Sequence, residues 1–247
     1  MYGWRQMKTL ILTWQNPATR SWFPVGRLDY DEQGYTFRYT EGANKAKNED
    51  FKTFSRMEDM STPYYSEELF PLFANRIMPK SRPEFSEYSE WFGVEESDNK
   101  LDWLVKSGGR KATDSLALFE APEKVRNTFE MSFFLHGLRY LEKPSLDRID
   151  SLNVNDTLFL MKDFQNPYDK DALAVRSDNP KVLIGYCPRY LTRCFLELLE
   201  TDESSVVLSV ERVNSNAPYE YKLLCKLQAA WTKPLQPFTD GDFLPLS

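Results

Sequence analysis

Three runs of strand-forming residues in the second half of the chain lie next to aromatic and charged side chains. The first run closes with Arg139 and Tyr140, the second follows residues 166–170, and the third ends at Tyr186, shortly before Arg189. Aromatic rings serve both as large blocks of a hydrophobic core and as flat faces on which nucleobases stack. The residue types alone therefore leave two interpretations open, packing within a small β-domain or stacking against a planar ligand.

The segment Asn166-Pro167-Tyr168-Asp169 is also an ordinary β-turn sequence. In that interpretation Pro167 fixes the bend, Asp169 caps it and Tyr168 packs on the neighbouring sheet. Residue by residue, the structural interpretation is the favoured one.

Catalytic and metal-binding constellations are not found in the sequence. His136, the single histidine, lies within an apolar run without a Ser or Cys nucleophile that can be placed beside it, which favours a hydrogen-bonded core histidine. Cys187, Cys194 and Cys225 have no CxxC spacing, so a tetrahedral zinc site is rejected. We expect no catalysis, no cofactor and no metal, and the sparse, odd cysteine count without a signal peptide fits a reducing cytoplasm.

Composition and charge restrict the remaining functions. The 247 residues are 41% hydrophobic and 15% aromatic, which predicts a folded protein with a substantial core. The net charge of -6 argues against a broad basic face that coats duplex DNA, so any nucleic-acid site must be local. No apolar run approaches the roughly 20 residues that a membrane helix needs, and we expect a soluble protein.

The N-terminal half is predicted to form a small antiparallel sheet with helices. Strands are expected at Met7–Trp14, Trp22–Leu28 and Gly34–Tyr39, and the polar segment Gly42–Asp50 is expected to be an exposed, mobile loop. The spacing of apolar residues predicts helices in three further segments, Leu69–Met78, Glu84–Phe92 and Asp98–Lys106.

The C-terminal half is predicted to be a small β-barrel related in shape to the OB fold, with one helix that plugs an end. The helix is expected at Leu191–Leu199, and a short helical turn at Ser145–Ile149. The fold class is therefore α+β, with domains at residues 1–120 and 129–247 and a linker between Phe119 and Phe129. Six strands are expected, at Met131–Leu138, Thr157–Lys162, Ala172–Arg176, Val182–Tyr186, Val206–Val213 and Tyr219–Ala229.

The order of these C-terminal motifs resembles a family signature. An apolar run closed by Arg139-Tyr140, then Asn-Pro-Tyr-Asp-Lys leading into Ala-Leu-Ala-Val, then Ile184-Gly185-Tyr186 before a helix is similar to the HIRAN domain. This small barrel occurs at the N-terminus of eukaryotic fork-remodelling helicases and in stand-alone bacterial and phage proteins. The helicase domains grip the 3′-hydroxyl end of single-stranded DNA, so the resemblance implies a binder of DNA ends.

The resemblance also implies a role for each motif residue. Tyr140 and Tyr168 would sandwich the terminal base, and Asp169 would accept a hydrogen bond from the 3′-hydroxyl while repelling a 3′-phosphate or a continuing strand. Tyr186 stands where some family members have histidine. The remaining expected contacts are phosphates for Arg139, Lys170 and Arg189, base edge or sugar for Asn166 and Tyr186, and a further stacking face for Tyr219.

A second resemblance concerns the N-terminal half. Val25–Leu28, Gly34–Tyr39, Leu69–Arg76 and Ser107–Ser115 are similar to the N-terminal subdomain of HipA-type toxin kinases, but no kinase core and no Gly-rich phosphate loop follow. The resemblance implies a docking module for a kinase-like, helicase or nuclease partner. The alternative function is an antitoxin-like or anti-defence interaction protein whose barrel does not bind DNA.

Overall fold

The computed structural model describes residues 8–95, 100–111, 113–232, 236–239 and 241–247. These residues form two units, one made of residues 1–121 and 237–247 and the other of residues 122–236. The sequence instead predicted a second domain that runs to residue 247. Met7 and Asp98, at which a predicted strand and a predicted helix begin, lie outside the described residues.

Unit 1 is built on a five-stranded antiparallel sheet with the order β4-β3-β2-β1-β5. The hairpin between β2 and β3 turns at Gly34, whose φ of 129° is accessible to glycine at little cost. Strands β1 to β3 confirm the predicted antiparallel sheet, whereas β4 and β5 were not predicted. The strands are β1 Lys8–Gln15, β2 Trp22–Asp31, β3 Gly34–Tyr39, β4 Tyr64–Ser66 and β5 Leu116–Glu120.

Among the residues of unit 1 that the structure describes, four α-helices accompany this sheet, and two of them differ from the predictions. The expected mobile loop Gly42–Asp50 is wrong, because Glu41–Lys47 forms helix α1 with Gly42, Ala43 and Ala46 buried. A Cβ on Gly42 would lie 2.2 Å from the Pro24 carbonyl oxygen, so small residues give this polar helix its buried face. The other helices are α2 Pro71–Ala74, α3 Phe85–Phe92 and α4 Lys100–Ser107.

Helix α2 is much shorter than the predicted helix Leu69–Met78. It begins at Pro71, as expected for a residue that lacks a backbone donor, and it ends at Ala74. The chain then turns, and the Arg76 side chain, 3% exposed, is directed inward. Its guanidinium donates to the Leu72 and Gly109 carbonyl oxygens and pairs with Asp114. Gly109 and Asp114 lie more than 30 positions from Arg76 in the sequence, so the apolar spacing did not reveal where the helix ends.

Residues 237–247 pack within unit 1 through backbone pairing and ring contacts. The Glu41 N–H donates to the Leu244 carbonyl, and the Leu246 N–H donates to the Tyr39 carbonyl. Phe238 contacts the ring of Phe119 with a centroid distance of 4.7 Å. These contacts explain why the C-terminal segment belongs to unit 1 although it follows unit 2 in the sequence.

Tyr39 is fully buried in the core of unit 1, where its hydroxyl donates to the Met57 carbonyl and accepts from the Phe54 N–H. Burial raises the pKa of Tyr39 to about 12 from its ordinary value near 10. Between these values the unfolded chain loses this proton and the folded chain keeps it. The contribution of Tyr39 to the free energy of unfolding is therefore fully present below pH 10. It is lost as the pH rises through about 12, which lowers the free energy of unfolding by about 2–3 kcal/mol.

Urea unfolding of the wild type and of Tyr39→Phe from pH 9 to 12 tests this expectation. The free energy of unfolding of the wild type should fall more steeply above pH 10 than that of Tyr39→Phe. Tyr65→Phe is the matched control, because Tyr65 is 71% exposed and should leave the slope unchanged. Parallel slopes for the wild type and Tyr39→Phe would contradict the assignment.

Unit 2 is a six-stranded antiparallel sheet that curls into a half-barrel, with the order β6-β11-β10-β7-β8-β9. Strand β6 shows why it forms, since Phe129, Met131 and Phe133 alternate inward with exposed polar residues. The α+β fold and the curled C-terminal sheet confirm the predicted class. The strands are β6 Thr128–Phe134, β7 Thr157–Lys162, β8 Leu173–Arg176, β9 Leu183–Tyr186, β10 Val207–Val213 and β11 Leu223–Ala230.

In the described part of unit 2, two α-helices accompany this sheet. Helix α5, Lys143–Asp150, extends the predicted turn, and helix α6, Arg189–Asp202, is longer than the predicted Leu191–Leu199. The buried residues of α6 include Leu191, Phe195 and Leu198, at the spacing of one helix face. Phe195 lies against Phe133 of β6, with ring centroids 5.1 Å apart, so the helix packs on the inner face of the curled sheet.

Candidate nucleic-acid interface

The predicted motifs meet where the two edge strands of the curled sheet approach each other. His136, which follows β6, and Tyr186 at the end of β9 exchange two backbone hydrogen bonds of 2.9 and 3.0 Å. Gly137 and Gly185 permit this approach. A Cβ on Gly137 would lie 3.2 Å from Tyr186 Cδ2, and a Cβ on Gly185 would lie 3.0 Å from Leu138 Cδ1, with both backbones at positive φ.

The side chain of Tyr186 connects the bridge between His136 and Tyr186 to the loop formed by residues 163–172. Its hydroxyl donates to Asp163 Oδ2 at 3.1 Å, and the Asn166 amide donates to the same oxygen at 3.1 Å. Burial, together with the hydrogen bond to Asp163, raises the pKa of Tyr186 above its ordinary value. The phenol therefore stays protonated at neutral pH and holds the loop as a donor.

The loop 163–172 is closed at its base by a hydrogen bond of 2.9 Å from the Asp163 N–H to the Ala172 carbonyl. Within it, Asn166 Oδ1 accepts from the N–H groups of both Tyr168 and Asp169, each at 3.0 Å. Both ends of the Asn166 side-chain amide bond within the loop, and the contact of Asn166 with a base edge or a sugar remains a prediction. Its contribution here is to shape the turn from which Tyr168, 84% exposed, projects into solvent.

Asp169 and Arg189 form an ion pair between the loop and helix α6. Arg189 Nε donates to Asp169 Oδ2 at 2.9 Å, and Asp169 Oδ1 accepts from the Asp171 N–H at 3.1 Å. The side chains of Asp169 and Arg189 are 18% and 26% exposed. A carboxylate offers about four acceptor positions, so Asp169 keeps the capacity to accept a further hydrogen bond.

Arg139, Tyr140 and Tyr219 lie on two neighbouring turns. The turn Leu138–Tyr140 exposes the Tyr140 ring by 80%, with the Arg139 guanidinium carbon 5.3 Å from the ring centroid. The turn Tyr219–Tyr221 packs against it and leaves Tyr219 45% exposed. Strand β9, which ends at Tyr186, packs against the same turn of residues 138–140. The predicted residues thus lie on the turns 138–140 and 219–221, on the loop 163–172, at the end of β9 and at the start of α6, and Tyr186 connects β9 to the loop.

The Tyr219 turn is held by a nearly buried lysine. Lys222 Nζ donates to Asp150 Oδ1 at 2.7 Å and to the Ser215 carbonyl at 2.9 Å, with its side chain 8% exposed. Asn214 adds a hydrogen bond from its side chain to the Tyr221 carbonyl at 2.7 Å. This bonding fixes the position of the turn that carries Tyr219.

Three consecutive residues at this site, Lys162, Asp163 and Phe164, were not predicted. Phe164 is 81% exposed, and Lys162 Nζ lies 5.4 Å from its ring centroid. Asp163, between them, is the residue that ties Tyr186 to the loop. An apolar ring amid Lys, Asp, Gln and Asn was a signal in the sequence, because a turn has no core position for it. Among the described residues of unit 2, the exposed aromatic side chains are Tyr140, Phe164, Tyr168 and Tyr219.

Positive charge at this site is local. Lys170 is exposed on the loop 163–172 and Arg139 is exposed on the turn 138–140. Neither residue forms an ion pair within the described ranges, whereas the charge of Asp169 is opposed by Arg189. Cations are therefore available beside the exposed rings although the whole chain carries a net charge of -6.

The three cysteines of unit 2 are buried. Burial raises the pKa of Cys187, Cys194 and Cys225, so these thiols stay protonated and shielded from solvent. Within the ranges that the structure describes, no group of three or more His, Cys, Asp or Glu side chains is placed to hold a metal ion. The described helices are all too short or too polar to span a membrane.

Residues 128–232 match the family model of the HIRAN domain, a nucleic-acid-binding domain. The HIRAN domain of human HLTF is 19% identical over 40% of this chain and 74% of its own, with a TM-score of 0.32. A protein from Lactobacillus plantarum is 19% identical over 41% of this chain and 96% of its own, with a TM-score of 0.33. A search of curated proteins finds no match.

Proposed function

We propose that the HIRAN domain formed by residues 128–232 binds the 3′-hydroxyl end of single-stranded DNA, without sequence preference and without catalysis. One observation carries the proposal: Tyr140 is exposed on the turn 138–140, Tyr168 is exposed on the loop 163–172, and Asp169 of this loop pairs with Arg189 of helix α6. Tyr186, at the end of β9, bonds to Asp163 of the same loop. Tyr168 is exposed on a loop held by hydrogen bonds, which favours a role in ligand binding. In the structural interpretation Tyr168 would instead pack on the sheet.

The rings account for affinity that does not depend on sequence. Stacking of a base on an aromatic side chain contributes roughly 1 to 3 kcal/mol, and every base has a flat face. Tyr140 and Tyr168 are 80% and 84% exposed, so a base reaches both without displacing core residues. In this proposal the exposed side chains of Arg139 and Lys170, on the same turn and loop as the rings, bind phosphate oxygens of the strand.

Asp169 accounts for selection of the end. A 3′-hydroxyl donates a hydrogen bond to a carboxylate, whereas a 3′-phosphate offers only negatively charged oxygens. Arg189 fixes the orientation of this carboxylate through the bond of 2.9 Å. A continuing strand would place a phosphate against the same group, so the site would reject internal segments of DNA.

The experiment compares a short 5′-labelled oligonucleotide that ends in a 3′-hydroxyl with one that ends in a 3′-phosphate, by fluorescence anisotropy. A hydrogen bond to a charged group contributes about 1.5–3 kcal/mol, so the hydroxyl form should bind roughly 10- to 150-fold more tightly. Asp169→Asn should reduce this ratio to nearly one. The preference reports the carboxylate directly, because both ligands share the same bases.

Asp171→Asn is the matched control, since it removes one negative charge from the same loop. It should leave the preference for the 3′-hydroxyl in place. Equal binding of the two oligonucleotides by the wild type would refute end recognition. A preference that survives in Asp169→Asn would assign it to another group.

The second candidate is an antitoxin-like or anti-defence interaction protein, and the net charge of -6 favours it because acidic chains repel DNA. In this proposal the N-terminal unit docks a kinase-like, helicase or nuclease partner. The exposed Tyr65 on the edge strand β4 supports such a surface. Recovery of such a partner from a bacterial lysate, with no oligonucleotide binding, would favour this function over the first.

A further inference from the structure

Phe164 is an apolar ring held in solvent on a polar turn. Its side chain is 81% exposed, and its sequence neighbours Asp163 and Gln165 are polar. Burial of a phenylalanine side chain is favourable, so a ring kept in water gains nothing for folding. Exposed aromatic rings beside a binding site are candidates for ligand contact.

The backbone of Phe164 is fixed by the same bonds that build the proposed site. The Asp163 N–H donates to the Ala172 carbonyl at 2.9 Å, and the Asn166 N–H donates to the Asp163 carbonyl at 3.2 Å. The Asp163 carboxylate meanwhile accepts from Tyr186 and Asn166. Phe164 therefore projects from a bonded turn rather than from a loose segment.

The ring is also close to a cation and to the proposed stacking residue. Lys162 Nζ lies 5.4 Å from the Phe164 ring centroid. Phe164 and Tyr168 are four residues apart, which limits the distance between their Cα atoms to about 14 Å. A single strand that stacks its terminal base on Tyr168 has its next nucleotides within this range, since one OB-type fold covers roughly 4 to 16 nucleotides.

We propose that Lys162 and Phe164 form a second binding platform, which receives a nucleotide upstream of the terminal one. The Phe164 ring stacks on the base, and the Lys162 ammonium binds an adjacent phosphate. This inference rests on the proposed function, because it extends the same strand beyond the end site. It explains why a lysine at the end of β7 and an aromatic residue on the turn that follows are exposed together.

The platform is tested with a hexanucleotide that ends in a 3′-hydroxyl and with versions in which one upstream position at a time is abasic. Phe164→Ala should weaken binding of the intact hexanucleotide about 5- to 150-fold, and Phe164→Tyr should retain wild-type affinity. At one abasic position the effect of Phe164→Ala should disappear, because the base that stacks on this ring is already missing.

Tyr168→Ala, measured with the same oligonucleotides, separates the two hypotheses. If Tyr168→Ala weakens binding but Phe164→Ala changes it less than twofold, the platform is refuted and the end site stands. An effect of Phe164→Ala that persists at every abasic position likewise refutes stacking on an upstream base. If the wild type binds none of the oligonucleotides, the proposed function fails and the platform fails with it.

Discussion

Replacement of both Tyr140 and Tyr168 by alanine is expected to weaken binding of a 3′-hydroxyl oligonucleotide by about 2–6 kcal/mol. Each ring contributes roughly 1–3 kcal/mol per stacked base, and the two rings flank the same terminal nucleotide in the proposed complex. Because both side chains are largely exposed, their removal should change the free energy of unfolding by less than about 0.5 kcal/mol. The predicted loss is therefore one of binding, not of folding.

Fluorescence anisotropy at one fixed salt concentration measures the loss, and urea unfolding checks the fold. Tyr140→Phe with Tyr168→Phe should keep most of the affinity, since both rings remain. Tyr65→Ala, which removes an exposed tyrosine from unit 1, should bind as the wild type does. An alanine double variant with unchanged affinity would show that the tyrosines do not contact the strand, and the sandwich model would have to be abandoned.

Removal of the Asp114 carboxylate should destabilise the protein by about 3–5 kcal/mol. The Arg76 side chain is 3% exposed, and its terminal nitrogens donate to Asp114 Oδ1 and Oδ2 at 3.2 and 2.6 Å. Asp114→Ala leaves a buried cation without its counter-charge, and such a loss is costly because the charge cannot regain water. Carbonyl oxygens of Leu72 and Gly109 remain as acceptors but carry no compensating charge.

Urea unfolding of Asp114→Ala against Asp147→Ala provides the comparison. Asp147 pairs with Lys143 on helix α5, but the two side chains are 60% and 83% exposed. Solvent screens such a pair, so Asp147→Ala should cost no more than about 0.5 kcal/mol. Similar losses for the two variants would mean that Arg76 finds water or another acceptor when Asp114 is absent.

The strands of unit 2 could be predicted well because their signals are local. Strand β7 has the predicted bounds Thr157–Lys162, and β8 and β9 begin one residue later than predicted. Alternation of apolar and polar residues along a strand, with turn residues at its ends, can be recognised within a short stretch of sequence. Strand β6 instead ends at Phe134, where the predicted strand continued to Leu138, since the chain bends at Gly137 into the turn 138–140.

Unit 1 was harder to predict because its boundaries depend on distant contacts. Helix α1 was assigned to a mobile loop, since its buried face consists of glycine and alanine, which carry little hydrophobic signal. Helix α2 ends after four residues where Arg76 turns toward Asp114 and Gly109, more than 30 positions away. Strand β5 forms by pairing with β1, which begins more than 100 residues earlier.

The candidate site, too, was in part predictable from the sequence and in part dependent on distant contacts. Motif residues could be named from the sequence, because the order of Arg139-Tyr140, the segment 166–170 and Tyr186 resembles the HIRAN signature. Their grouping depends on the bridge between His136 and Tyr186 and on the hydrogen bond from Tyr186 to Asp163. The sequence did not identify Asp163 as the connecting residue, nor Phe164 as an exposed ring.

By itself, the sequence determined the α+β class, most strands of the second unit and the identity of the tyrosines and charged residues that form the proposed site. Local periodicity and turn chemistry encode the class and the strands, so these survive without tertiary information, whereas the site residues were named through the resemblance to the HIRAN domain. Only the tertiary structure decided which side chains face solvent and which face each other. That Asn166 bonds inward, that Asp169 pairs with Arg189 and that Phe164 stays exposed all follow from contacts between segments that the chain brings together only on folding.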